Sequence, residues 1–495
     1  MADKIKYKIN NAEFEAKFTL TTAPASPDGG GEQVSPSDGG DGGSKSGGGE
    51  KEINFSKSAI RGMDIEENFL EPFTNGNIYI NNPLDFIEDG QLIRGDGRDK
   101  FTIFLEPVDD GTLDEKPLSP EKIPLEYNFV ISSEMNSTSK TDRLNNFKVY
   151  RLLDRNYFLL SEQIPYGKRF RGKVGCIIKD IFDKFDIPTG DWEEGEMKID
   201  ILPEHILPPS TFRYSDLINY LLKLNFKQVG RTYVRLFLNY CRRCKYYKYL
   251  PLSDYFLKHD PKEQFMVDDL VTYPPKSNKN TPIKGPYETP TNYNYAALAN
   301  TDLSTPMLLY TNTYLNNLLV SNFDPILGEH TMDIIRIAKV KKEWRKLFVD
   351  PFAYLGGLAQ PWAVLNNVKT TKIFRNLGFP MPGDRMAKLA EAELTTNMTF
   401  FNLQLNFETL GNTDRQPGEF INISVAREDE EKDGTNPFNS QTIKHRSDVK
   451  LLGEWFTTKI RHQFTTAKVD NYTNTIQLIK PHIGPSEPKP KDGIG

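Results

Sequence analysis

The amino-acid sequence predicts a mainly β protein with an α+β middle, in which two antiparallel, tube-like β-barrel domains flank a small α/β region. Two observations carry this prediction. Short runs rich in Ile, Phe, Tyr and Val, punctuated by Gly, Asn, Asp and Pro, fill both ends of the chain. Between them the apolar residues recur every three to four positions instead of every two, the period of an amphipathic helix. At 495 residues the chain is too long for one hydrophobic core, so several domains are expected.

The first barrel is expected over residues 1–160. Ile5, Tyr7 and Ile9 alternate with lysines, an Asn-Asn turn follows at 10–11, and Phe14, Ala16, Phe18 and Leu20 alternate with polar neighbours. That is the pattern of a hairpin. Residues 24–52 are rich in Gly, Ser, Pro and Asp. They bury too little apolar surface to offset an ordering cost of about 1–2 kcal/mol per residue, and are expected to be a disordered loop between strands. Strand text resumes in "INFSKSAIRGMDIEENFLEP", "GNIYINNP", "DKFTIFLEP", "YNFVISSEMN" and "NNFKVYRLLDRNYFLL".

An α/β region is expected over 161–270. In "GKVGCIIKDIFDKFDI" the residues Val174, Ile177, Ile178, Ile181, Phe182 and Phe185 form one helical stripe. In "PPSTFRYSDLINYLLKLNF" the stripe is Leu217, Ile218, Leu221, Leu222 and Leu224, with Thr211 or Ser215 as the expected N-cap. "TYVRLFLNY" and "KYYKYLPL" read as a strand pair. Residues 271–390 form an irregular excursion rich in Pro, Asn and Tyr, with one helix expected in "DRMAKLAEAELTT" near its end. The second barrel is expected over 391–484, in "NMTFFNLQLNFE", "EFINISVARE", "EWFTTKIRHQF" and "TNTIQLIK", with a disordered tail over 485–495.

Composition narrows the function classes. The formal net charge of −5 argues against a general nucleic-acid binder, while leaving room for a local basic lining. Three cysteines fit a reducing compartment rather than a disulfide framework. The first residues lack a signal-peptide core, and no run approaches the length of a membrane span.

Cys241 and Cys244 form a CxxC, which is half a zinc knuckle or a redox pair. No second pair completes a zinc site, and the flanking strands make "CRRC" a hairpin turn. "YCRRCKYYKY" interleaves basic residues with tyrosines, as a base-stacking strand would, but an edge strand at the surface needs the same residues. "REDEEKD" at 427–433 reads as a solvated loop rather than a glycosidase pair, and "RGDG" at 94–97 as a tight turn. No P-loop, dinucleotide fingerprint, HExxH or GxSxG occurs. No catalytic, cofactor-binding or metal residues are therefore assigned.

"GEWFTTKIRHQF" at 453–464 gathers a tryptophan, a histidine and two cations. As one strand, it places Phe456, Ile460, His462 and Phe464 on an inward face, with His462 a hydrogen-bonded core residue. Lys459 and Arg461 fall on the opposite face, as candidates for a channel or interface surface.

The order of four stretches resembles the baseplate hub protein of contractile-tailed bacteriophages, a family related to the N-terminal hub part of type VI secretion and contractile injection system spike proteins. Residues 60–107 ("IRGMDIEENFLEP" to "DKFTIFLEP") look like its first-barrel core, and 147–185 like the exit strand and first helix. Residues 207–256 resemble its helix, hairpin and closing turn, and 418–480 the closing strands of its second barrel. The 24–52 insert and the 271–390 stretch have no counterpart in the family pattern.

The resemblance implies a homotrimer without enzymatic activity or cofactors. Two barrels per subunit would match a sixfold tail tube to a threefold spike around a channel through which DNA passes in transit. Tail tube, central spike, baseplate wedge and tape measure proteins are the implied partners. The virion tail baseplate is the implied location, after assembly in the host cytoplasm and without membrane insertion by this chain. Three rivals stand beside it: the hub of a phage-derived injection machine, a cell-wall hydrolase using 331–390, and a carbohydrate-binding module using the loop at 271–300.

Overall fold

The computed structural model describes residues 5–9, 12–22, 51–81, 99–107, 123–135, 147–202, 212–257, 263–267, 293–294, 299–304, 318–323, 330–335, 371–375, 383–400, 403–425, 453–466 and 471–480. The Asn-Asn turn at 10–11, the 24–52 insert before Lys51, the motifs at 94–97 and 427–433 and the tail lie outside these residues, as does most of 271–382.

Alternation of apolar and polar residues builds the first eight strands: β1 (Ile5–Ile9), β2 (Ala12–Thr22), β3 (Lys51–Asn54), β4 (Ile60–Asn68), β5 (Glu71–Asn81), β6 (Lys100–Pro107), β7 (Leu125–Met135) and β8 (Phe147–Asp154). Phe14, Ala16, Phe18 and Leu20 on β2, and Phe101, Ile103 and Leu105 on β6, are buried as the period of two requires. These strands pair antiparallel in the order β1-β2-β6-β7-β8-β5-β4, with β3 on β2.

The middle region runs α1 (Arg155–Glu162), β9 (Phe170–Lys173), α2 (Val174–Lys184), β10 (Thr189–Trp192), β11 (Lys198–Ile201), α3 (Tyr214–Leu224), β12 (Phe226–Val229), β13 (Thr232–Cys241), β14 (Tyr246–Pro251) and α4 (Leu252–Leu257). Its sheet has the order β10-β14-β13-β12, with β9 and β11 a separate pair. The stripes of α2 (Val174, Ile177, Ile178, Ile181, Phe182) and α3 (Leu217, Ile218, Leu221, Leu224) meet in one core. The α3 cap differs from expectation. Asp216, inside the first turn, reaches back to the Arg213 amide at 3.1 Å, while Ser215 is buried and accepts from Ser161. At α1 the N-cap is Asp154, which accepts from the amides of Asn156 at 2.8 Å and Tyr157 at 3.2 Å.

The remaining elements are β15 (Glu263–Val267), β16 (Tyr293–Asn294), β17 (Ala299–Ser304), β18 (Leu318–Phe323), β19 (His330–Ile335), β20 (Thr371–Arg375), α5 (Gly383–Phe400), β21 (Leu403–Leu410), β22 (Phe420–Val425), β23 (Gly453–Thr465) and β24 (Asn471–Lys480). Three placements depart from the sequence reading. β15, expected in the middle region, pairs parallel with β22 of the C-terminal set. Within the excursion expected to be irregular, β18, β19 and β20 form a three-stranded sheet and β17 joins β21. Helix α5 continues to Phe400 through "NMTF", which was expected to open a strand. There the hydroxyls of Thr395 and Thr399 bond to the carbonyls four residues back, at 3.0 Å each, and Phe400 packs on Phe237.

The chain is thus mainly β, with an α/β middle. The structure adds how its two ends meet. Both strand sets belong to one 15-stranded sheet, joined where β4 pairs with β23. Two cores line it. One gathers Phe18, Ile65, Ile78, Phe101, Phe129 and Leu152 of the N-terminal set and also takes Phe464 and Tyr472 from the C-terminal set. The other gathers Leu405, Phe407, Ile421, Ile423, Trp455, Ile460, Ile476 and Leu478. Burying each such side chain contributes about 1.5–3 kcal/mol. Among the described residues, no helix is long and apolar enough to cross a membrane.

Candidate functional site

β23 is the strand on which the two ends of the chain meet. Gly453–Phe456 pair with β22, Lys459–Thr465 pair with β4, and β24 runs along the other edge. At the hand-over the register shifts, so that Thr457 faces Leu478 and Lys459 faces Gln477. Thr458 is the extra residue of this bulge. Its carbonyl accepts from the Phe69 amide at 2.7 Å, and its hydroxyl bonds to the Gln477 carbonyl at 3.0 Å. Gly62 lies opposite Thr465, and a Cβ there would stand 2.6 Å from the Phe464 carbonyl, so the seam closes only over a glycine.

The bulge reverses the alternation that the sequence predicts. Ile460, His462 and Phe464 share the inward face, as expected. Phe456 does not: Trp455 takes the place beside Ile460 in the C-terminal core, and Phe456 turns toward the middle region. There it meets Phe69 at 5.0 Å, Phe256 at 4.7 Å and Phe420 at 5.3 Å. Phe69, at the end of β4, stacks on Phe237 at 5.1 Å and meets Tyr255 edge-on at 4.8 Å. This aromatic junction fixes both strand sets to the middle region.

Lys459 and Arg461 lie on the face away from His462, and both are engaged across the seam. Lys459 Nζ is 2.6 Å from Glu66. Arg461 grips Asp64 with two nitrogens, Nε at 2.6 Å from Oδ1 and a second contact to Oδ2. The two cations are neutralised by β4, so this ladder is not by itself a basic lining.

Behind it lies a buried polar knot. Glu67, in phase with the apolar Ile65 and Met63, lies 3.5 Å from His462 Nε2 and 3.3 Å from Arg242 Nε. His462 Nδ1 accepts from the Tyr472 hydroxyl at 2.8 Å and from the side-chain Nδ2 of Asn474 at 2.9 Å. That assigns its proton to Nε2, facing Glu67. Asn474 Oδ1 accepts from Arg415 and from the Asn412 amide, each at 2.7 Å, and Arg242 donates to the Arg415 carbonyl at 2.5 Å. Burial works to raise the Glu67 carboxyl, but Arg242 and His462 outweigh it and hold it below the ordinary carboxylate value. Burial pushes the His462 imidazole below its ordinary value against the pull of Glu67, leaving the ring neutral. His462 is wholly buried. The knot therefore acts as a lock between β4, β23, β24 and the β13–β14 turn.

"CRRC" is that turn. Arg242, expected at the surface, is buried, and so are Cys241, Tyr247 and Tyr249, four of the ten residues of "YCRRCKYYKY". The tyrosines pack against each other and their core neighbours, Tyr240 on Tyr247 at 5.0 Å, rather than forming a stacking platform. Beside the turn opens a cleft of about 580 Å³, lined by Trp192, Tyr240, Cys241, Lys248, Tyr255 and Glu419 among others. Among the described residues, no group of three or more His, Cys, Asp or Glu side chains is placed to hold a metal ion.

Sequence reasoning missed Glu67, Arg242, Arg415 and Asn474. For Glu67 the signal was present: a carboxylate at a position whose phase calls for an apolar residue. Arg242 gave none, because an arginine in a turn reads as solvated.

No protein-family model matches the chain, and no curated protein matches it. Several solved structures are similar, three of them as follows. The tail protein from Neisseria meningitidis is 12% identical, with a TM-score of 0.43, over 88% of this chain and 95% of that one. The 43 kDa tail protein of prophage MuSo2 from Shewanella oneidensis is 8% identical, with a TM-score of 0.41, over 88% and 96%. A Francisella PdpA-VgrG complex, half-lidded, contains a chain 10% identical, with a TM-score of 0.42, over 99% and 61%.

Proposed function

We propose that this chain is the hub of a contractile phage tail baseplate, a homotrimeric adaptor between the sixfold tail tube and the threefold central spike. The observation that carries the reading is the edge-to-edge union of two mainly antiparallel strand sets, drawn from the two ends of one chain, through β4 and β23. A subunit built this way offers two neighbouring wall segments, and three subunits offer six. The order of the four sequence stretches supports the same role. In this reading the face carrying Lys459 and Arg461 turns to the channel or to a neighbouring copy. Tube, spike, wedge and tape measure proteins are the partners, DNA passes only in transit, and the site of action is the virion tail. The chain performs structural work rather than catalysis.

Sedimentation of the purified full chain, alone and with its tube and spike proteins, tests the proposal. A trimer, or a stable complex with both partners, is expected. A monomer that binds neither and degrades cell wall overturns it.

A further inference from the structure

We propose that Cys241 and Cys244 are a modification site: they close an intrachain disulfide across the β13–β14 turn when the chain meets an oxidising solution. The turn already holds the two sulfurs together. The amides of Cys244 and Lys245 both donate to the Cys241 carbonyl, at 3.1 and 2.7 Å. Lys245 takes a left-handed conformation with φ of 59°, which lets the chain reverse immediately after the pair. The sulfurs stand 2.6 Å apart. Arg242, between them in sequence, is clamped by the Arg415 carbonyl and Glu67, so the turn has little freedom to open.

A shared metal fits this geometry poorly. Two thiolates on one tetrahedral zinc at about 2.3 Å would stand roughly 3.8 Å apart. Cys176, the third cysteine, lies on α2 and interacts with Glu194, so it is not a competitor for either sulfur.

The chemistry is a thiol–disulfide exchange. Cys241 is buried and Cys244 is partly exposed, so a small-molecule disulfide such as oxidised glutathione meets Cys244 first. The Cys244 thiolate attacks one glutathione sulfur, forming a mixed disulfide and releasing one glutathione thiolate. Cys241 then gives up its proton to solvent and attacks the Cys244 sulfur, releasing the second glutathione. Two thiols lose two electrons, and the glutathione disulfide gains them. Burial pushes the Cys241 thiol up to about 12, which makes this second step the slow one and faster at higher pH. The exchange is independent of the assembly role proposed above.

The test treats the full chain with oxidised glutathione or with dithiothreitol, unfolds it, and blocks free thiols with N-ethylmaleimide before intact-mass and non-reducing peptide analysis. The reduced chain should take a label on each of its three cysteines. The oxidised chain should take one, on Cys176, and show a linked Cys241–Cys244 peptide. Its melting temperature should rise by about 1–4 °C over the reduced form. C176S should leave the link intact. C244S, at the more exposed position, should remove both the link and the temperature shift. Three labels after oxidation, glutathione retained as a stable adduct, or zinc bound with both thiols shielded would each overturn the proposal.

Discussion

The two strand sets meet the rest of the molecule at two junctions of opposite chemistry. Around Phe69, in the turn after β4, the contact is aromatic, with rings from β13, β22, β23, α4 and α5 filling one space. Further along the same two strands, Glu67, Arg242, His462, Asn474 and Arg415 form a connected polar chain. The first stabilises by area and tolerates small shifts. The second depends on direction as well as distance, and it stabilises less than its Coulomb energy suggests because desolvation opposes it. One junction holds the parts together, and the other fixes which residue faces which.

The polar side breaks most sharply. Glu67→Ala leaves Arg242 as an uncompensated buried charge and should cost about 3–5 kcal/mol in denaturant unfolding of the full chain. Replacing both partners, Glu67→Leu with Arg242→Met, should recover at least half of that loss. A double variant as unstable as the single one would show that the knot stabilises rather than aligns. Phe69→Ala empties the aromatic junction and should cost a similar or slightly smaller amount, about 3–4 kcal/mol, with no recovery from a second large-to-small change.

Acid should separate the regions by sign. Glu67 and His462 both sit below their ordinary values of 4.5 and 6.5, so the unfolded chain binds the extra protons. Their contribution is full above pH 6.5 and falls as the pH drops through that value and again below 4.5. Asp154, the α1 cap, is raised by burial from 3.8 to about 6. Its contribution is full below 3.8 and is lost as the pH rises toward 6 and beyond. Hydrogen-exchange protection, corrected for intrinsic rates, should therefore weaken in β23 and strengthen in α1 between pH 7 and 5. Asp154→Asn should remove the α1 trend. The smallest effect belongs to the exposed ladder: Lys459→Ala should change the stability of the chain by about 0.2–1 kcal/mol.

The same contrast explains what the sequence made legible. Local periodicity revealed β2, β6, α2 and α3, because each buries residues at its own period. It revealed His462 as a core residue for the same reason. The bulge at Thr458 was hidden, since nothing in "FTTKI" marks which threonine is extra, and Phe456 was consequently placed on the wrong face. The pairing of β15 with β22 was hidden too: a parallel contact across more than 150 residues leaves no local trace. α5 ran past its expected end because Phe400 packs into the aromatic junction, a tertiary effect that outweighs the β preference of Thr399 and Phe400. The polar knot required four distant segments, around Glu67, Arg242, Arg415 and His462, to be brought together before any of it could be seen.

The adaptor role is most directly tested by electron microscopy of particles carrying a label at the C-terminus of this chain. The account predicts three copies of the label at the junction of tail tube and spike. Label elsewhere on the particle, or in sixfold number at that junction, would contradict it.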